Sequence, residues 1–268
     1  MGAPNALNAI RIILLILSAA SFFPQYRRLL SRRDSLGLAP EYILLNLIVA
    51  TQQFSLGLFF IVVCDEADMI MHSPPTVGEW LNFAQFTVVW VGHLILFGAY
   101  LVYPPSPPGA KPAMFSIYMA FLLISIVPVI FIASLPPSGT DPYGDRSWPG
   151  SFYAYGSTMF INPIVTALAI VTYFPQAREL KSRSDAGACS VPGLAVQAGV
   201  FLVVAIFWPL RMPLPWGVRF STWYQLVGWA TLDNLVFAFV QGVLWCVARR
   251  FKGATSEATG ETAPLLAA

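Results

Sequence analysis

Apolar runs of about twenty residues recur along the whole chain, the length that carries a helix across about 30 Å of hydrocarbon, and this restricts the fold more than any other feature. The windows fall at Leu7–Phe23, Tyr42–Val63, Trp80–Tyr103, Ala113–Leu135, Phe152–Phe174, Val191–Leu210 and Ser221–Val247. A membrane barrel alternates apolar and polar residues, whereas stretches such as Ile12 to Leu17 are apolar throughout. The expected fold is an all-α membrane protein with seven transmembrane helices. A water-soluble fold is excluded, because only 10% of the residues are charged and an ordinary soluble domain carries about 25%. The first span does not read as a secretory signal, since no basic segment precedes it.

Basic residues set the orientation. With the N-terminus lumenal or extracellular and the C-terminus cytosolic, Arg27, Arg28, Arg32, Arg33, Lys111, Arg178, Lys181, Arg183, Arg249, Arg250 and Lys252 all lie inside. The other side holds Arg146, Arg211 and Arg219, beside Asp65, Glu66, Asp68 and Glu79. A net charge of +2 leaves no footprint for nucleic acid. Cys64, Cys189 and Cys246 lie far apart and without metal-ligand spacing, so no disulfide framework and no metal site are implied. No cofactor motif and no catalytic signature is present, and the chain is not expected to be an enzyme.

The chain repeats itself. Ser21–Asp34 matches Thr172–Asp185 at an offset of 151, with eight of fourteen positions identical. Each copy closes a span and precedes two more, so spans 1–3 and 5–7 read as two parallel three-helix repeats, with span 4 as connector in a 3+1+3 arrangement. The expected units are residues 1–103, a linker and connector over 104–135, a second bundle over 136–248, and a disordered cytosolic tail over 249–268. The proline-rich stretch from Pro104 to Pro108 reads as a stiff spacer.

Pro24-Gln25 and Pro175-Gln176 close the first and fifth spans. A proline there removes a helical hydrogen bond and frees a carbonyl, and the glutamine that follows is placed to bond the broken turn. A static kink competes with a hinge. The duplicated Pro-Gln pair in a seven-helix chain resembles the PQ-loop repeat family, whose relatives include the SWEET sugar transporters, cystinosin, and the vacuolar or lysosomal exporters of basic amino acids. The first copy continues Ser35-Leu-Gly-Leu38, close to the family pattern, while the second departs from it at Asp185-Ala-Gly-Ala-Cys-Ser190. The resemblance implies transport of a small polar metabolite by alternating access in a vacuolar or lysosomal membrane, with Pro24, Gln25, Pro175 and Gln176 as hinges.

Charges at membrane depth are costly and point to function. Asp233 lies in the middle of span 7, next to Asn234, and aligning spans 3 and 7 through Gln85 and Gln225 puts His93 on Asp233. Asn82 and His93 share a helix face, as do Asn46 and Gln53, and the offset of 151 maps Asn46 onto Gln197 and Arg11 onto Asn162. Asn46, Gln53, His93, Asn162, Gln197 and Asn234 are therefore expected to bind a polar solute in a shared cavity. Burial penalises a charged carboxylate, so Asp233 is expected to couple transport to protons; the resemblance to cystinosin-like exporters implies the same role. Amides that merely join helices are the competing reading. Arg11 is expected to snorkel outward on its long stem. Trp90, Trp208, Trp216, Trp223, Trp229 and Trp245 read mostly as interface-belt or packing residues. The solute stays open between a basic amino acid, cystine and a sugar, with the acidic pocket favouring a cationic or zwitterionic one.

The tail carries Glu261-Thr-Ala-Pro-Leu265-Leu266, which looks like an acidic dileucine signal read by a cytosolic sorting adaptor. The expected partners are thus a small-molecule substrate, protons, the lipid bilayer and such an adaptor. The runner-up is a PQ-loop receptor or trafficking scaffold without transport. A retinal protein is excluded, because Lys111, Lys181 and Lys252 all lie outside the spans.

Overall fold

The computed structural model describes residues 3–63, 72, 74–104, 110–137, 139, 144–183, 185–211, 217 and 219–262, with side chains between 5 and 250. Among them there is no strand, and seven helical units are long and apolar enough to cross a membrane, consistent with an integral membrane protein. The first unit comprises α1 (Ala3–Ser21) and α2 (Phe23–Arg32); the next three are α3 (Pro40–Val62), α4 (Val77–Val102) and α5 (Ala110–Ser134). The fifth joins α6 (Ser147–Gly156), a π-helical turn at Ser157–Ile161, α7 (Asn162–Val171) and α8 (Tyr173–Arg183). The sixth is α9 (Val191–Arg211). The seventh joins α10 (Phe220–Trp223), a π-helical turn at Tyr224–Gly228 and α11 (Trp229–Thr262).

Local chemistry sets where these helices start. Pro40 opens α3, where a missing N–H costs nothing. Thr76 and Glu79 cap α4 reciprocally, and Ser190 Oγ accepts the Gly193 N–H at 3.2 Å at the head of α9. Prolines also set the breaks: the chain turns at Phe22 and Thr172, just ahead of Pro24 and Pro175, and then resumes as helix. Ser21 Oγ donates to Ser18 O and Thr172 Oγ1 to Ala169 O, both at 2.7 Å and both pairs related by the repeat offset.

Several helices outrun their apolar windows. The basic stretch from Arg27 to Arg33, beyond the end of the first apolar window, is the body and cap of α2, with Arg33 closing it in the left-handed conformation. α8 does the same after the second Pro-Gln pair. A hydropathy window ends at the first charges, whereas an amphipathic helix needs only one buried edge, here Gln25 and Leu29. α11 runs through Thr262, and no proline interrupts it before Pro264. The Glu261 side chain, Leu265 and Leu266 lie outside the described residues, as do Asp65, Glu66, Asp68 and residues 105–108.

α4 packs against α1 and α3, and α11 against α7 and α9; across the molecule α1 meets α9 and α3 meets α7. α3 is buried on almost every side. α5 packs on α3 through one stripe, Met114, Tyr118, Ser125, Val129 and Ile132. It leaves Ile117, Leu123, Ile124 and Ile130 exposed, the pattern of a peripheral helix facing lipid.

Candidate functional site

The two Pro-Gln segments grip each other's loops. Gln25 Nε2 donates to Ala188 O at 2.9 Å, and its Oε1 accepts the Ser190 N–H at 2.8 Å. Gln176 Nε2 donates to Gly37 O at 2.7 Å, and its Oε1 accepts the Ala39 N–H at 2.9 Å. Adding 151 to residues 25, 37 and 39 gives 176, 188 and 190, so each clamp is the image of the other. This corrects the expectation that the amides serve their own broken turns. A primary amide presents a donor beside an acceptor, and here that pair spans the carbonyl of one residue and the N–H two residues on. Arg28 Nε donates to Gly187 O at 2.8 Å, while its positional match Glu179 accepts the Gly37 N–H at 3.3 Å.

The gripped loops are tight turns, Leu38 N donating to Ser35 O and Cys189 N to Ala186 O. Positive φ falls on Gly37, the third residue of the first turn, and on Gly187, the second residue of the other. The departure of the second copy is therefore a shift of the glycine to where its own turn needs a left-handed residue. A Cβ on Gly37 would stand 2.5 Å from Ala186 O, and one on Gly187 would collide with Leu36 O. Leu38, Ala39, Ala188, Cys189 and Ser190 are all buried, so this end of the bundle is closed. Burial also pushes the Cys189 thiol up to about 12, which keeps it from acting as a nucleophile. Pro24 and Pro175 are half-buried beside the clamps.

Deeper in, three spans meet on Asp233, which is 1% exposed. Its carboxylate accepts Gln53 Nε2 at 3.2 Å and Thr166 Oγ1 at 2.5 Å, and Thr166 Oγ1 lies 3.1 Å from the Tyr224 hydroxyl. A small cavity is lined by Asn46, Gln53, His93, Asp233 and Asn234 together with apolar side chains. His93 is held edge-on by Phe22 and Phe237, with ring centroids at 5.0 and 5.7 Å. Asn46 and Asn234 each donate to a carbonyl four residues back, at 2.7 and 2.6 Å. Asn162 and Gln197 are buried outside this lining; Asn162 Oδ1 accepts Gln52 Nε2 at 3.2 Å. Tyr42 donates to Gln241 Oε1 at 2.9 Å, linking the second and seventh spans.

Such a site offers a carboxylate that can hold or release a proton, amide dipoles for a polar solute, and no water-facing charge. Thr166, Gln52 and Tyr224 were not foreseen. Thr166 lies four residues after Asn162, on the same face, which was a usable signal; Tyr224 sits in the π-helical turn, which no proline announces. Arg11 overturns its expectation: it is 8% exposed and donates inward to Arg211 O at 2.9 Å. Trp208 and Trp229 are interior packing residues, and Trp216 lies outside the described residues. No family model and no curated protein matches this chain.

Proposed function

We propose that the chain is a PQ-loop transporter in a 3+1+3 arrangement that moves a basic or zwitterionic amino acid by alternating access, coupled to protons. The reciprocal clamps of Gln25 and Gln176 carry this reading. They close one end with a matched set of bonds that tilting of one three-helix unit against the other would break together. Pro24 and Pro175 adjoin them, where a helix lacking one backbone bond bends at least cost. Asp233 is the proton carrier. Asn46, Gln53, His93 and Asn234 face the solute, while Asn162 and Gln197 are buried outside that lining. The N-terminus is lumenal, the membrane is vacuolar or lysosomal, and Glu261, Leu265 and Leu266 supply the sorting signal.

The test is flux into proteoliposomes holding the purified full chain, with labelled L-arginine, L-lysine, L-cystine and glucose and an imposed pH gradient. One amino acid is expected to enter faster with the gradient, and Asp233→Asn to abolish that dependence. Binding without flux for every solute would favour the receptor reading and reject transport.

A further inference from the structure

At the end of the bundle away from the clamps, two guanidinium groups are buried side by side. Arg11 and Arg211 are 8% and 4% exposed. Arg11 Nη1 donates to Asn8 Oδ1 at 2.7 Å and Nη2 to Arg211 O at 2.9 Å, while Arg211 Nη1 donates to Gln85 Oε1 at 2.5 Å. Gln85 is in turn fixed by donating to Ser18 Oγ at 3.1 Å. Three buried donor atoms then have no partner among the described residues: Arg11 Nε, Arg211 Nε and Arg211 Nη2. Burying a cationic donor without a partner is costly, so such a set suits an anionic acceptor.

The geometry of the unused donors specifies that acceptor. Nε and Nη2 form one edge of a guanidinium, and their parallel N–H bonds match the two oxygens of a single carboxylate. The plane of Arg211 is held over the Trp208 ring, its carbon 4.9 Å from the centroid. Trp208 also lines a second, narrow cavity with Phe86, Trp229, Asn82 and Glu79, which the two guanidiniums adjoin only through Trp208. Both side-chain atoms of Asn82 and the indole nitrogens of Trp208 and Trp229 are buried there without partners. Glu79, whose charge acts on Arg11, is engaged by His72 and Thr76.

We infer that Arg11 and Arg211 form a carboxylate-binding site for a small free acid whose apolar body lies against Trp208 and whose carboxylate bridges the unused edge of Arg211 and Arg11 Nε. The inference goes beyond the transport proposal and stands apart from the Asp233 cluster. A phosphatidylserine headgroup offers the same carboxylate, but both guanidiniums are buried between helices rather than turned to the lipid face.

Tryptophan emission of the purified full chain in non-ionic detergent is titrated with sodium benzoate, sodium acetate and, at matched ionic strength, sodium chloride. Separate samples receive mixed micelles of phosphatidylserine. The expected result is saturable quenching by benzoate, weaker saturation by acetate and a flat response to chloride. Arg211→Gln should weaken benzoate by about tenfold or more, the value of a charged hydrogen-bonded pair. Arg211→Lys keeps the charge without the paired edge and should fall between. No saturable response in the native chain, an equal response to chloride, a response confined to phosphatidylserine, or unchanged benzoate binding in a folded Arg211 variant would each overturn the inference. If Arg211→Gln fails to fold, Arg11→Gln read in the same titration decides.

Discussion

The two ends of the helix bundle are built on opposite terms. At the Pro-Gln end the gripping groups are paired and the pairs come in matched sets: Gln25 with Gln176, Ser21 with Thr172, Ser31 with Ser182. At the far end Arg11, Arg211, Asn82, Trp208 and Trp229 keep unpartnered polar atoms, and the symmetry is gone, since the offset that links the clamps sets Arg11 against Asn162 and Arg211 against Phe60. Closure needs only the chain itself, so both copies retain the same self-complementary bonds. Open groups gather at the far end, where the offset pairs unlike residues, although Gln241 Nε2, whose Oε1 accepts from Tyr42, is open as well.

The sharpest way to break this comparison is at the glycines. Gly187→Ala adds left-handed strain to a collision with Leu36 O and should cost about 3 kcal/mol or more in thermal unfolding of the purified protein. Next come the clamps. Gln25→Ala and Gln176→Ala each orphan one buried N–H and one buried carbonyl, so each should cost about 2 kcal/mol and speed maleimide labelling of buried Cys189. Gln→Glu should not rescue either, because Ala188 O and Gly37 O need a donor. Costs that differ by more than about 1 kcal/mol would break the symmetry between the two clamps. Thr166→Val, which removes a single hydroxyl from Asp233, should cost about 1 kcal/mol. Smallest are Ser31→Ala and Ser182→Ala, whose exposed hydroxyls bond only their own helices; each should stay within about 0.5 kcal/mol in the same unfolding assay.

How far all this could be read from residues alone follows from range. Seven spans and the Ser21/Thr172 repeat are local patterns, and hydropathy and an offset reveal them. The cavity around Asp233 was partly legible, because Asn46, Gln53, His93 and Asn234 are polar groups that an apolar helix can place only inward. The target of Gln25 was hidden, since Ala188 lies 163 residues away and an amide carries no mark of which backbone it will meet. Arg11 was misread for a physical reason: a span short of apolar residues lets a long stem reach the surface, but the buried carbonyl of Arg211 and Asn8 Oδ1 offer it acceptors inside. The π-helical turn at Tyr224–Gly228, which brings Tyr224 to Thr166, has no proline to betray it.

The central claim is that the clamped end must open for solute to pass. A cysteine pair at Leu36 and Ala188, whose backbones are hydrogen-bonded across the two loops, can lock that end by oxidation in a background with Cys64, Cys189 and Cys246 replaced. Amino acid flux in proteoliposomes should stop on oxidation and return with reductant. Flux that continues at full rate through covalently joined loops would contradict the account.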